Sequence, residues 1–256
     1  MTNYQLLYKV IFVYNRKRYS TLSYAWNKLL TIRHLKNKIP DLKTSFIKEI
    51  KSIQDIDLSL KRFVLKSSFG HSAINVLLLE KIKDGLYIDK IKKKKYNLIL
   101  LIKVISKFKQ PFIEKVIGNG IIPYDIKVHI FCGRISFFYI YNKGGNMYYE
   151  KARYDSNMNY ISFYKMFYPN SFRENQKFKE SKNIINTVDT NSLKNILDYS
   201  ITIFNNLENL IYCSIDWLYD PITCEYSFCE LTPTPYSLSK PLKPSFIKKH
   251  ISICKR

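Results

Sequence analysis

The sequence predicts an α+β protein built mostly from antiparallel sheet. Three observations lead there. Apolar and polar residues alternate in "DIKVHIF" (125–131) and again in "ISFFYIYN" (135–142), and the turn residues "CGR" join the two runs. A second pair of runs, "IYCSIDWLYD" (211–220) and "EYSFCELTPTP" (225–235), flanks Pro221. Between the pairs, "DTNSLKNILDYSITIFNNL" (189–207) places apolar residues at helical spacing behind three N-cap candidates, Asp189, Thr190 and Asn191. Strand pairs separated by single helices, rather than strands alternating with helices, favour antiparallel sheets.

Taken in order, residues 1–60 read as helical with loops. "TLSYAWNKLLTIRHLKNKI" puts Leu22, Trp26, Leu29, Leu30, Ile32 and Leu35 mostly on one face, and Pro40 stops it. "SFIKEIKSI" (45–53) reads as a second, short helix. Residues 61–66 then switch to strand character, and "AINVLLLEKI" (73–82) continues as a strand after a turn. "KIKKKKY" (90–96) reads as a solvated turn or helix edge. "YNLILLIKVISKF" is helical, and "PFIEKVI" (111–117) is a strand introduced by Pro111. Gly144-Gly145 opens a loop that runs past "YEKARYDSNMNY", and residues 156–189 carry little periodicity. The tail begins Pro-rich and ends basic.

Composition narrows the class. The 256 residues suffice for one large domain or two small ones, and 46% are apolar, which argues against global disorder. No apolar run reaches the roughly 20 residues of a membrane span, since "NLILLIKVI" is short and carries Lys103. No signal-peptide cleavage pattern is evident, so a cytosolic protein is expected, with peripheral membrane contact left open. The five cysteines match no zinc spacing and are expected to be reduced and mostly buried. The net charge of +22 is scattered, and no nucleic-acid motif accompanies it, so nucleic acid is not an expected partner. Attraction to anionic lipid or to an acidic glycan fits the charge better.

Several residues could carry chemistry. Asp216 and Glu230 each interrupt an apolar strand, at a spacing that sets them on one face of a hairpin. Opposed carboxylates need neutralising, and magnesium favours carboxylate oxygens together with phosphates. A pair of solvent-facing carboxylates on an exposed sheet is the other reading. Thr232 points the same way and offers another oxygen. Lys66 ends a strand before the small-residue turn "SSFGHS", which fits a phosphate site or a plain hairpin. His71 alone reads as a polar loop residue. Glu114 and Lys115 interrupt another apolar strand, either as an edge-strand device or where backbone meets a flat ligand. Lys127 and Arg153 are cations further along that could meet phosphate.

In sequence order these pieces resemble the ATP-grasp layout. "RFVLKSSFGHS", "FIEKVIGNGIIPYDIKVHIFCGRISFFYI", "RYDSNMNYI" and "SIDWLYDPITCEYSFCELTPTP" together resemble the TupA-like branch of ATP-grasp proteins, the branch linked to teichuronopeptide biosynthesis. The resemblance covers about residues 60–236. It implies two α+β lobes with antiparallel sheets gripping ATP: a small lobe over 61–117 and a large lobe over 118–240. A reduced helical N-terminal region (1–60) precedes them and a basic tail (241–256) follows.

By this resemblance Lys66 contacts the nucleotide phosphates, and Ser68, Gly70, His71 and Ser72 belong to the phosphate-covering loop. Glu114, Lys115, Val116 and Ile117 form the adenine hinge. Lys127 is similar to the cation that follows the family's D-Y-K aspartate, Arg153 reaches the transferred phosphate, and Asp216 and Glu230, with Thr232, hold Mg2+. The activity implied is ATP-dependent ligation of a carboxylate to an amine through an acylphosphate. The substrates implied are an amino acid or sugar carboxylate and an amine acceptor, in decoration of a polysaccharide, lipid-linked glycan or peptide polymer at the cell envelope. Three positions depart from the pattern. Ala73 replaces a glycine, "YDSNMNY" lacks the tryptophan, and Ser214 replaces the arginine of R-x-D, so Lys127 or Arg153 would have to supply that charge. These departures also fit a degenerate relative that binds nucleotide, or acts as a scaffold in envelope assembly, without turnover.

Overall fold

The computed structural model describes residues 27–69, 75–118, 122–142, 149–161, 178–208 and 210–232, with single residues and short pieces near the two ends. The chain divides into two compact units. One comprises residues 24–36 and 44–116, the other residues 1–23, 37–43 and 117–256.

The 24–36 and 44–116 unit is a six-stranded antiparallel sheet in the order β1-β6-β2-β3-β4-β5. Its strands are β1 (Phe46–Glu49), β2 (Arg62–Ser67), β3 (Val76–Lys83), β4 (Leu86–Asp89), β5 (Lys94–Asn97) and β6 (Pro111–Glu114). Alternation along them sends Phe63, Leu65, Leu77, Leu79, Tyr87, Tyr96 and Ile113 to one face. There they pack on Leu101 and Ile105 of helix α2 (Leu98–Ile105), which Asn97 caps by accepting from the Leu100 N–H at 2.9 Å. Helix α1 (Lys28–Lys38) starts where the Asn27 side chain accepts from the Leu30 N–H, and it buries Leu29, Ile32 and Leu35.

Two expectations fail in this unit. "SFIKEIKSI" is not a helix. Phe46–Glu49 is strand β1 because it pairs with β6, and the Ile50 N–H extends that edge by donating to the Pro111 carbonyl. A long-range partner outweighs local helical spacing here. The edge-strand reading of Glu114 fails as well, since β6 lies between β1 and β2. The lysine-rich run makes the β4–β5 turn and then the true edge strand, β5, where exposed Lys94 and Lys95 do discourage further pairing.

The other unit holds a second six-stranded sheet, ordered β10-β9-β8-β7-β11-β12. Its strands are β7 (Tyr124–Phe131), β8 (Arg134–Asn142), β9 (Tyr149–Tyr154), β10 (Phe178–Glu180), β11 (Tyr212–Tyr219) and β12 (Tyr226–Thr232). The β7–β8 and β11–β12 hairpins are the two read from the sequence. Strand β9 is not: "YEKARY" was expected in a loop. It is a strand because Ala152 and Tyr154 alternate into the core while it pairs with β8.

One face of this sheet carries Ile126, Val128, Phe138, Ile140, Ile215 and Trp217, all fully buried. Helix α3 (Thr190–Asn205) contacts strands β7, β8 and β11, and it buries Leu193, Ile196, Leu197, Ile203 and Phe204. Asp189 is its N-cap, accepting from the Ser192 N–H at 2.7 Å. The Trp217 indole N–H donates to Ser200 Oγ at 2.9 Å, which satisfies the polar atom of the largest fully buried side chain among the described residues. Apolar residues therefore claim one face, and the polar positions of the same strands fall on the other.

The cysteines also depart from expectation. Cys132 is disulfide-bonded, and of the free thiols Cys213 is buried while Cys224 is exposed. Among the described residues, no helix is long and apolar enough to cross a membrane.

Candidate functional site

The polar face of the β7–β12 sheet gathers the residues singled out in that half of the sequence. Register aligns them in one row across five strands. Glu230 lies opposite Asp216, Asp216 opposite Lys127, Lys127 opposite Tyr139, and Tyr139 opposite Arg153. With strands about 4.8 Å apart, the row runs roughly 19 Å. The expectation that Asp216 and Glu230 share one hairpin face is met directly. Cys229 is bulged out beside the pair, since Asp216 faces Glu230 while Trp217 faces Phe228.

The chemistry of the row follows from its charges. Lys127 Nζ lies 2.8 Å from Asp216 Oδ2, and both side chains are about a quarter exposed, at 28% and 24%. Asp216 Oδ1 is buried and has no hydrogen-bond partner among the described residues. Burial pushes the Asp216 carboxyl up to about 6, with Lys127 pulling it down and Glu230 and Asp125 pushing it further up. Burial works against the Lys127 ammonium too, but Asp216 and Glu230 outweigh it and hold its affinity for the proton above the usual lysine range. Around neutral pH the row therefore carries a charged carboxylate with one satisfied oxygen and one unsatisfied oxygen.

A divalent cation fits that donor set. Asp216 Oδ1 and the Glu230 carboxylate are hard oxygen ligands on one face, and Thr232 lies two residues further along the same side of β12. Among the described residues no cluster of three or more His, Cys, Asp or Glu side chains could hold a metal. One or two carboxylates with the rest supplied by phosphate and water is the usual arrangement for magnesium, so these donor types fit that ion.

The structure adds residues that the sequence reading passed over. Tyr139 stands between the two cations, wholly buried. Lys151 Nζ lies 4.3 Å above the rings of both Tyr139 and Tyr141. His129, also buried, stacks on Phe137 and shares a 2.7 Å hydrogen bond between its Nδ1 and the Tyr212 hydroxyl. Ser214, where the resemblance called for arginine, is buried opposite both His129 and Thr232. The spacing of Phe137, Tyr139 and Tyr141 along β8 was the available signal for this aromatic face. Arg153 is enclosed, its guanidinium carbon 5.8 Å from the Phe137 ring centre. Its strand is closed off by a turn in which Asp155 Oδ1 accepts from the Asn157 and Asn159 N–H groups.

In the β1–β6 sheet, Lys66 and Glu114 meet. They are diagonal neighbours on β2 and β6, with Lys66 Nζ 2.5 Å from Glu114 Oε2 and side-chain exposures of 10% and 2%. The lysine assigned to phosphate and the glutamate assigned to the adenine hinge are thus one buried ion pair. Ser68 is fully buried, and it is committed to the fold. Its hydroxyl donates to the Gln110 carbonyl, its N–H to the Lys109 carbonyl, and its own carbonyl accepts from the Lys28 N–H. The Lys115 N–H donates to the Ser45 carbonyl at 2.7 Å, Val116 is half-buried and Ile117 is buried. Gly70, His71 and Ser72 lie outside the described residues.

No family model and no curated protein matches the sequence. Solved structures do match the architecture. The D-alanine–D-alanine ligase from Bacillus anthracis, complexed with ATP, aligns with a TM-score of 0.51 at 12% identity, over 90% of this chain and 67% of that one. The same enzyme in another crystal structure aligns with a TM-score of 0.50 at 14% identity, over 90% of this chain and 68% of that one. The ATP-grasp ligase PsnB, complexed with a phosphomimetic variant of its minimal precursor, Mg and ADP, aligns with a TM-score of 0.51 at 8% identity. That match covers 89% of this chain and spans 58% of PsnB. The chain has the ATP-grasp fold.

Proposed function

We propose that the protein is an ATP-dependent ligase that joins a carboxylate to an amine. The observation that carries this reading is the row of Glu230, Asp216, Lys127, Tyr139 and Arg153 on the polar face of an ATP-grasp sheet, with an unsatisfied carboxylate oxygen at its acidic end. Asp216 and Glu230 would hold magnesium, with Thr232 as a further oxygen. Magnesium supplies neutralisation of the triphosphate charge. Lys127 fixes Asp216 by occupying Oδ2, which would leave Oδ1 to hold the metal. Lys127 and Arg153 are the cations that offset negative charge along the row. Within the β1–β6 unit, Lys66, held by Glu114, is the lysine assigned to phosphate, and residues 114–117 are assigned to adenine.

The reaction is written as two substitutions. A carboxylate oxygen attacks the γ-phosphorus and ADP leaves, giving an acylphosphate. The amine nitrogen then attacks the acyl carbon, phosphate leaves and the nitrogen gives up a proton. The TupA-like motifs support a carboxylate from an amino acid or sugar acid, and an acceptor on an envelope polysaccharide, lipid-linked glycan or peptide polymer.

The test is ADP release with panels of amino acids and sugar acids as carboxylates and amines. Turnover is expected in the native protein and its loss in Asp216→Asn and Glu230→Gln. Native turnover no higher than that of the two variants removes the proposal. Ser214 opposite His129, in place of an arginine, supports a second reading: a protein that binds nucleotide without ligation. Calorimetry separates the two, because tight Mg-ATP binding without ADP release with any substrate pair supports the second.

A further inference from the structure

Between positions 90 and 110 the chain has eight lysines and no acidic residue. This stretch forms the β4–β5 turn, the edge strand β5 and helix α2, all within the β1–β6 unit. Its charge is not absorbed by the fold. Lys90 pairs with Glu80 at 3.3 Å, and Asp89 just before it is fully buried. Lys92, Lys93, Lys94, Lys95, Lys103 and Lys107 are all exposed.

Apolar side chains that the core does not take are interleaved with them. Ile91 is 55% exposed, Ile99 64%, Leu100 37% and Ile102 47%. On α2 the inward positions Leu101 and Ile105 fill the core, so Ile99 and Ile102, three apart, share the outward side with Lys103. The turn bearing Ile91 and the start of α2 flank the two ends of one four-residue strand, itself about 13 Å long. Single exposed aliphatic residues are ordinary, but four within twelve positions among cations of one sign are a surface with a defined complement.

We infer that this face docks on an anionic lipid bilayer. The aliphatic side chains enter the boundary between headgroups and acyl chains, and the lysines meet the negative headgroups. Nucleic acid is a poorer complement. The stretch has no arginine, and its two aromatic rings, Tyr96 and Phe108, are packed with the core rather than offered for stacking.

Vesicle co-sedimentation tests the inference with the full chain at physiological salt. The probes are phosphatidylcholine vesicles with and without about one third phosphatidylglycerol. Binding is expected on the anionic vesicles alone. About a tenfold or greater loss is expected in Ile99→Ser/Ile102→Ser and, separately, in the fourfold lysine-to-glutamine variant at 92–95. Equal binding to neutral vesicles overturns the proposal, as does binding unaffected by either variant set. Duplex DNA binding that depends on the same lysines, with no vesicle binding, overturns it in favour of nucleic acid. Should either variant misfold, Ile102→Trp decides: its added fluorescence is quenched by brominated acyl chains if the face inserts, and unchanged quenching sinks the idea. Nucleotide turnover is measured in the same preparations, so failure of the ligase reading and failure of docking are told apart.

Discussion

Lys127 and Asp216 face each other directly across β7 and β11, with the ammonium 2.8 Å from one carboxylate oxygen while the other oxygen is buried without a hydrogen-bond partner among the described residues. The lysine is thus the neutraliser that lets two carboxylates stand opposite one another. Removing it while leaving Asp216 exposes the repulsion. Lys127→Met is expected to cost about 1–3 kcal/mol, below the range for fully buried pairs because both groups are partly exposed. Adding Asp216→Asn to it is expected to recover most of that loss. Urea unfolding of the two single variants and the double variant closes the cycle, and additive losses would show that the pair is not coupled.

A pH dependence follows from the same carboxyl group. Its folded affinity for the proton, about 6, lies above the 3.8 of an unfolded aspartate. A raised value favours the folded state while the group is protonated. The contribution is full below about pH 4 and is lost as pH rises through 6. Relative to Asp216→Asn, the native protein should lose on the order of 2 kcal/mol of stability between pH 4 and 7. Parallel stability curves for the two proteins across that window would contradict the assignment.

What could be seen in the sequence was whatever depended on local pattern. The β7–β8 and β11–β12 hairpins announce themselves because one face of each strand is buried, which imposes a period of two. Asp216 and Glu230 could be matched because they sit on either side of one short turn. Lys127 could not be aligned with Asp216 from spacing, since their meeting depends on β7 pairing with β11 far along the chain. Lys66 and Glu114 likewise meet only because β2 pairs with β6. Strand β1 was misread for the same reason: Phe46, Ile47 and Ile50 fit one side of a helix until β6 claims the backbone. In β9, charges at Glu150, Lys151 and Arg153 hid the alternation of Ala152 and Tyr154.

The Lys66–Glu114 pair is almost wholly buried, so its two members are expected to be unequal to their absence. Glu114→Gln removes the carboxylate from a buried ammonium and should cost roughly 3–5 kcal/mol. Replacing both residues by apolar ones of similar size, Lys66→Met with Glu114→Leu, should cost much less. Thermal unfolding of the two variants beside the native protein checks this, and a double variant as unstable as Glu114→Gln would contradict it.

Ligand linkage offers a readout of the acidic end of the row that does not depend on knowing the substrates. A ligand that binds the folded chain stabilises it in proportion to the logarithm of its saturation. Mg-ATP at about 100 times its dissociation constant should raise stability by about 2.7 kcal/mol, a shift of a few degrees in Tm for a chain of this size. Chelating the magnesium should remove most of the shift, since under the proposed assignment Asp216 and Glu230 would then repel the triphosphate. Asp216→Asn and Glu230→Gln should lose the magnesium-dependent part of the shift. Because the neutral variants no longer repel phosphate, they should keep any metal-independent part of the shift. Differential scanning with ATP, with ATP and magnesium, and with ATP and chelator separates these contributions. A magnesium-dependent shift of the same size in both variants would place the metal elsewhere and dissolve the role given to the Asp216–Glu230 pair.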